Sequence, residues 1–100
     1  MTIARSGNMY YLTASDDPAS IAQNNIRVKG IILDATAAGA IVELGENNSG
    51  RSYPTVFTYR NDTSEFLNFA HSPLLFPSGI RVKTVTNANV TLILDTNKEQ

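Results

Sequence analysis

The stretch IRVKGIILDATAAGAIVEL, residues 26–44, decides the fold that we expect for this chain. Ile26 and Val28 alternate with charged residues, which is the pattern of a β-strand with one buried face. Gly30 interrupts this alternation, and we interpret it as a β-bulge or as a point where another segment closely approaches the backbone. The small residues that follow predict a turn into a second strand, so residues 26–44 are expected to form a hairpin.

Short strand-like segments of the same kind extend outward from this stretch in both directions. Ile, Val and Thr, the β-branched residues that favour strands, together number 24 of the 100 residues. We therefore predict an all-β fold, an antiparallel β-sandwich or jelly-roll-like barrel of about seven to eight short strands. The predicted strands are 9–13, 26–33, 40–44, 53–60, 65–69, 80–86 and 90–94.

The hydrophobic interior is expected to come from the centres of these strands. The four phenylalanines, Phe57, Phe66, Phe69 and Phe76, are also assigned to the core, which leaves Tyr53 and Tyr59 as the best candidates for exposed rings on a shared strand face. The other predicted core residues are Ile32, Ile41, Leu67, Val82, Leu92 and Leu94.

Composition excludes several classes of function. The net charge is −1 and there is no basic excess, so we expect no nucleic-acid partner. The chain has no cysteine, which removes disulfides, thiol nucleophiles and zinc–thiolate sites. Its longest apolar runs are far shorter than a membrane helix or a signal peptide requires, so we expect a soluble protein made in a cytoplasm.

Motifs for catalysis are also missing. His71, the only histidine, precedes a proline-containing loop and has no evident carboxylate or nucleophile beside it in the sequence. The acidic clusters at 16–17 and 62–65 lack the spacing of a calcium loop, and no glycine-rich phosphate-binding motif occurs. We therefore expect a protein that is not an enzyme, with no cofactor and no metal site.

The amino-terminal residues 1–25 are interpreted as an arm, with the sandwich domain at 26–95 and a polar tail at 96–100. The arm has a strand candidate at 9–13, whose apolar side chains need cover. An added strand on a neighbouring subunit would provide that cover, and an ordinary edge strand of the same domain is the alternative. The predicted partner-binding residues of the arm are Met9, Tyr10, Tyr11 and Leu12.

One short sequence recurs, since IRVK occurs at 26–29 and again at 80–83. The flanking residues do not repeat, and a match of four residues is short enough to occur by chance, so we do not base a duplication on it. Each copy places two cations on one strand face, where they need solvent or the carboxylates of a partner. We accordingly add Arg27, Lys29, Arg81 and Lys83 to the predicted partner-binding residues.

The segment from Ile26 to Leu94 resembles small β-sandwich proteins from the virions of tailed bacteriophages. The pattern comprises VKGIIL at 28–33, AIVEL at 40–44, LFPSGIRV at 75–82 and NANVTLIL at 87–94. This resemblance implies a non-catalytic structural protein of the virion, made in the host cytoplasm. It also implies a homotrimer that binds the major capsid protein or other virion subunits.

Within that group, a capsid cement or decoration protein that binds neighbouring capsid subunits is the first expectation. The alternative is a β-sandwich module of the tail or fibre that binds a carbohydrate or a host receptor. A site of that kind needs exposed aromatic rings, for which Tyr53 and Tyr59 are the candidates.

Overall fold

The computed structural model describes residues 2–13 and 19–95. Within them the chain forms ten β-strands and one 3-10 turn at Ser49–Arg51. A helical membrane crossing has no candidate among these residues, where helical structure is limited to this turn. The strands are β1 (Thr2–Ser6), β2 (Met9–Thr13), β3 (Ala19–Ile21), β4 (Ile26–Ala35), β5 (Ala40–Glu46), β6 (Thr55–Asn61), β7 (Glu65–Asn68), β8 (Leu74–Phe76), β9 (Ile80–Thr86) and β10 (Ala88–Leu94).

These strands lie in two antiparallel sheets, which confirms the predicted all-β class. Sheet A has the order β1-β2-β10-β4-β7, with β8 also pairing with β4, and sheet B has the order β3-β9-β5-β6. Strands β7 and β8 both pair with β4 and together form one edge of sheet A. If they are counted as one strand and β1 is left out, four strands remain in each sheet, in the order of a jelly roll. The sheets face each other without closing into a barrel, so the structure has the sandwich form of the predicted fold.

The strand count exceeds the prediction by β1, β3 and β8. Strands β3 and β8 have only three residues each, too few to show an alternating pattern. Strand β1 has five residues, but its sequence TIARS contains one large apolar side chain, Ile3. Strand β3 lies in a segment whose polar composition predicts a loop. Its backbone nevertheless pairs with β9.

The expected hairpin at 26–44 is not formed. Strand β4 pairs with β10 in sheet A, whereas β5 pairs with β9 in sheet B, so the turn between β4 and β5 crosses from one sheet to the other. Two strands with one apolar face each, joined by a turn, give the same sequence pattern in both arrangements. Here the apolar faces meet across the core instead of lying side by side.

The core lies between the sheets and contains eighteen buried apolar residues in the described part of the chain. Among the predicted core residues, Val82, Leu92 and Leu94 are buried, and Phe76 is fully buried. The predicted residues that are only partly buried, although they pack against the core, are Phe57, Leu67 and Phe69.

Three predicted core residues are on the outside. Ile41 is half-buried on the outer face of β5, because the inward positions of that strand are its neighbours Ala40 and Val42. Ile32 is 39% exposed and Phe66 is 54% exposed, both on the outer face of sheet A. The assignment of these three side chains to the core was therefore wrong.

A bulge in β4 explains the position of Ile32. Opposite Ile93 and Leu94 of β10 stand Gly30 and Val28, so Lys29 is an extra residue in β4. The alternation therefore shifts by one, and the inward set changes from Ile26 and Val28 to Ile31 and Leu33. The bulge expected at Gly30 is present, and its extra residue is Lys29, immediately before the glycine.

The repeated IRVK segments lie at corresponding places in opposite sheets. In β9, as in β4, the lysine is the extra residue of a bulge, because Glu43 and Leu44 pair with Thr84 and Val82 and skip Lys83. The two copies therefore do not neighbour each other, and their four cations do not meet in one sheet.

The pairing of whole strands repeats as well. Strands β2, β3, β4 and β5 of the first half have β6, β8, β9 and β10 as their counterparts in the second half. The pairs β2–β10 and β3–β9 correspond to β6–β5 and β8–β4, and the pairs β4–β10 and β5–β9 correspond to β9–β5 and β10–β4. The registers agree as well. Ile80 and Ile26 are the first residues of the two IRVK copies, and they lie opposite the last residues of the counterpart strands β3 and β8, Ile21 and Phe76 respectively. The two halves of the chain thus have the same arrangement, and the recurrence of IRVK belongs to it.

The described part of residues 1–25 is integrated into the sandwich and does not form a separate arm. Strand β2 pairs with β1 on one side and with β10 on the other, and β3 pairs with β9. This is the same-domain alternative for 9–13, although β2 is an inner strand and not an edge. The polar tail expected at 96–100 lies outside the described residues.

Candidate docking surfaces

The outer face of sheet A has exposed apolar side chains in a line across the strands. Tyr11 lies opposite Thr91, Thr91 lies opposite Ile32, and Ile32 lies opposite Phe66. We call Tyr11, Ile32 and Phe66 the apolar row; their exposed fractions are 39%, 39% and 54%. Large apolar side chains that stand together on a surface are typical of sites that bind another molecule.

Phe66 lies over the backbone of Gly30, so the row depends on this glycine. A β-carbon at position 30 would stand 3.1 Å from Cε1 of Phe66 and 3.4 Å from Cδ1 of Ile93. The second interpretation of Gly30, a close approach of another segment, is therefore confirmed together with the bulge. A larger residue there would lift the ring of Phe66.

A shallow groove of about 430 Å³ runs beside the row. Ile32 and Phe66 form part of its wall, and Asp34, Asn89 and Thr91 contribute polar groups. The Ser64 hydroxyl donates a hydrogen bond of 3.3 Å to Asp34 Oδ1 and accepts one of 3.0 Å from the backbone N–H of Ala35. The groove therefore combines one exposed aromatic ring with a positioned carboxylate.

The outer face of sheet B is mostly polar, and its cations Arg81 and Lys83 have partners within the chain. Lys83 Nζ donates to Thr55 Oγ1 at 2.8 Å and to the Tyr53 carbonyl at 3.1 Å, and it lies 3.8 Å from Glu43 Oε2. The guanidinium of Arg81 lies 4.3 Å from the centre of the Tyr53 ring. These contacts give the two cations partners inside their own domain.

The two tyrosines proposed as a shared platform do not share a face. The ring of Tyr53 is covered by Arg81, and the ring of Tyr59 is half-buried between the sheets beside Phe57, at 6.3 Å between centroids. A register shift in β6 between Phe57 and Thr55 separates them, with Val56 as the extra residue. The rings exposed on the outer face of sheet A are instead those of Tyr11 and Phe66, and Phe66 is the more exposed of the two.

Tyr59 has a hydroxyl at the surface that is fixed by a neighbouring carboxylate. It donates a hydrogen bond of 2.9 Å to Glu65 Oε1, which also accepts one of 2.7 Å from Asn61 Nδ2. The bond to Glu65 is the main cause that raises the pKa of Tyr59 above its ordinary value, and burial and the charge of Glu65 act in the same direction. This contact ties β6 of sheet B to β7 of sheet A.

The predicted partner-binding residues of β2 divide between the two sides of their strand. Tyr10 and Leu12 are buried in the core, at 7% and 1% exposure, and the Tyr10 hydroxyl donates to Gln23 Oε1 at 2.9 Å. Only Met9 and Tyr11 point to the outer face of sheet A, since the side chains of a strand alternate. The burial of Tyr10 and Leu12 removes them from any surface contact.

The four predicted cations lie on two opposite surfaces. Arg27 is exposed and Lys29 half-buried in sheet A, whereas Arg81 and Lys83 belong to sheet B. They do not form one site. Sequence reasoning missed Ile32 and Phe66 as surface residues, and the signal for Ile32 was Gly30, since a bulge reverses the faces beyond it.

No catalytic or metal-binding constellation stands out in the described ranges 2–13 and 19–95. His71 is exposed in a turn between β7 and β8. No three His, Asp or Glu side chains within these ranges are grouped so that they could hold a metal ion. The acidic pair at 16–17 lies outside the described residues. No family model, curated protein or solved structure matches this chain.

Proposed function

We propose that this protein is a non-catalytic structural protein of a tailed-phage virion, a capsid cement or decoration protein that docks on neighbouring capsid subunits. The apolar row on sheet A is the observation that supports docking. The jelly-roll strand order is found in viral capsid domains and in lectins, so a surface, and not the fold, must distinguish these functions.

The geometry of the row fits a protein partner. Tyr11, Ile32 and Phe66 are held in register by three strand pairings, so the sheet fixes their spacing across one face. Two aromatic residues among hydrogen-bonding neighbours, here Thr91 and Asn89, resemble the core and rim of a protein–protein interface. The major capsid protein or another virion subunit is the proposed partner.

Assembly and location complete the proposal. The chain self-associates, and the homotrimer is the assembly that the resemblance implies. It is made in the host cytoplasm and resides in the virion. A net charge of −1 and the internally paired Arg81 and Lys83 favour protein partners over nucleic acid.

A co-sedimentation experiment tests docking. Purified chain is mixed with particles of the encoding phage that lack it, and the pelleted fraction is measured. We expect wild type to pellet with the particles, and Ile32→Ser and Phe66→Ser each to weaken binding at least about tenfold, because each removes an exposed apolar contact of roughly 1.4 kcal/mol or more.

Leu75→Ser is the matched control. Leu75 is 56% exposed and lies in sheet A beside Arg27, outside the row, so this change should leave binding intact. Failure of wild type to pellet with the particles, or equal binding by wild type and both row variants, would overturn the proposal.

The groove beside Phe66 supports one other function, binding of a carbohydrate by a tail or fibre module. An exposed ring next to the Asp34 carboxylate and the Asn89 amide offers stacking and hydrogen bonds to a sugar. A glycan array tests this alternative. A sugar signal that is present in wild type and lost in Phe66→Ala would replace docking on a capsid with sugar binding.

A further inference from the structure

Strand β6 is the longest strand that is paired on only one side in the described part of the molecule. Its seven residues pair with β5 alone. None of its side chains is buried, and Val56 is 40% exposed. A strand of this kind presents a row of free backbone N–H and C=O groups, to which another strand can add.

The other half of the molecule shows how such an edge is covered. Strand β2 is the counterpart of β6, and β1 lies on its outer side. Tyr10 of β2 is 7% exposed, whereas Tyr59 and Phe57 of β6 are only partly buried. The described residues supply β6 with no counterpart of β1, so its edge and two aromatic rings lack this cover.

The other edges of the sheets are less suited to strand addition. Strands β3 and β8 have three residues and β7 has four. Strand β1 has five residues and a single charge, Arg5, next to its last residue, just as β6 has Arg60 next to its own. The greater length of β6, seven residues, is what distinguishes it from β1.

The sequence of β6 is complementary to itself in antiparallel orientation. A two-fold axis at Thr58, the middle residue, places Thr58 opposite Thr58 of the partner subunit. Phe57 then lies opposite Tyr59 of the partner subunit, and aromatic pairs across strands are among the stabilising ones. Val56 lies opposite Arg60 of the partner subunit, so the two arginines stay at opposite ends of the contact.

We propose that a second copy of this chain adds to β6 through its own β6, which joins the two B sheets into one sheet of eight strands. The contact uses the same patch on both copies, so it closes with two subunits. A dimer therefore replaces the homotrimer implied by the resemblance. Because β6 belongs to sheet B, this contact leaves the apolar row on sheet A free.

Disulfide trapping tests the register, and the chain has no cysteine that would interfere. Residues directly opposite in an antiparallel pair have Cα atoms about 4.5–5.5 Å apart, within the range that a disulfide bridges. We expect Thr58→Cys to form a covalent dimer under mild oxidation at least about ten times faster than Thr86→Cys. Thr86 is an exposed threonine of the same sheet on the inner strand β9, so it is the matched control.

Sedimentation velocity on the purified chain gives a second measurement. We expect wild type to be a dimer. Thr58→Lys places two ammonium groups opposite each other, so the dissociation constant should rise at least about tenfold, since like charges across a strand pair are destabilising. An unchanged far-UV circular dichroism spectrum shows that the variant is folded.

Three results would overturn the inference: a monomeric or trimeric wild type, a Thr58→Lys variant that dimerises as wild type does, or equal crosslinking at positions 58 and 86. These measurements use the isolated chain without particles. The dimer and the virion function can therefore fail independently of each other.

Discussion

At the scale of single residues, burial on the two faces of one sheet predicts very different effects of truncation. Leu92 is fully buried and Ile32 is 39% exposed, although both lie in central strands of sheet A. We expect Leu92→Ala to lower the free energy of unfolding by about 2–5 kcal/mol, and Ile32→Ala by less than about 1 kcal/mol. Urea denaturation of both variants measures this, and equal losses would contradict the assigned faces.

The contact between Tyr59 and Glu65 predicts a pH effect. The pKa of Tyr59 is raised in the folded state, so the stability contributed by its neutral form is present below the pKa of an unfolded tyrosine. That stability is lost as the pH rises through the higher folded value. We expect an alkaline titration followed by ultraviolet absorbance to show a late tyrosine phase, above the ordinary range, that belongs to Tyr59.

Glu65→Gln is the matched variant for this titration. It removes the carboxylate charge and replaces the main acceptor of the Tyr59 hydroxyl, so the late ionisation should move toward the ordinary range. A Tyr59→Phe variant should lack the late phase altogether. A late phase that persists in Tyr59→Phe would assign it to a different tyrosine.

At the scale of elements, the position of β2 predicts the effect of an amino-terminal deletion. Removal of residues 1–14 takes away β1 and β2, and with them the buried side chains of Tyr10 and Leu12. We expect the truncated chain to lose several kcal/mol of stability or to remain unfolded. Thermal unfolding measures this.

Two single substitutions in β2 separate the roles of its faces. Leu12→Ala should reproduce part of the loss, because Leu12 is 1% exposed, whereas Tyr11→Ala should leave the melting temperature nearly unchanged. A truncated chain that keeps the wild-type melting temperature and loses only its assembly would instead support an arm that acts on a neighbour.

At the scale of the whole molecule, the pairing of distant segments predicts slow folding. Among the described strands, only β1 with β2 and β5 with β6 pair with the strand that follows them in the chain, while β2 pairs with β10 and β3 pairs with β9. Loops that connect such distant strands must close before their contacts form. We expect folding in the millisecond-to-second range, typical of all-β sandwiches. Stopped-flow circular dichroism measures it, and complete folding within about 100 microseconds would contradict this description.

The sequence by itself determined the β class, most strand positions and the irregularity at Gly30, because strand propensity and alternation are local properties. It also placed Met9 and Tyr11 among the surface candidates. The sequence did not determine which face Ile32 or Phe66 presents. Each bulge inserts one residue, and a shift of one residue exchanges the two faces of everything beyond it.

Only the tertiary structure decided which strands pair. The local sequence pattern of residues 26–44 fits either a hairpin or a crossing between the two sheets. Whether the two strands pair with each other or cross between the sheets depends on the pairing of β4 with β10 and of β5 with β9, at the far end of the chain. The apolar row shows the consequence, since Tyr11, Ile32 and Phe66 are brought into line by pairings of β10 with β2 and β4 and of β4 with β7. The free energy of those non-local contacts, and not any local preference, places the candidate docking surface.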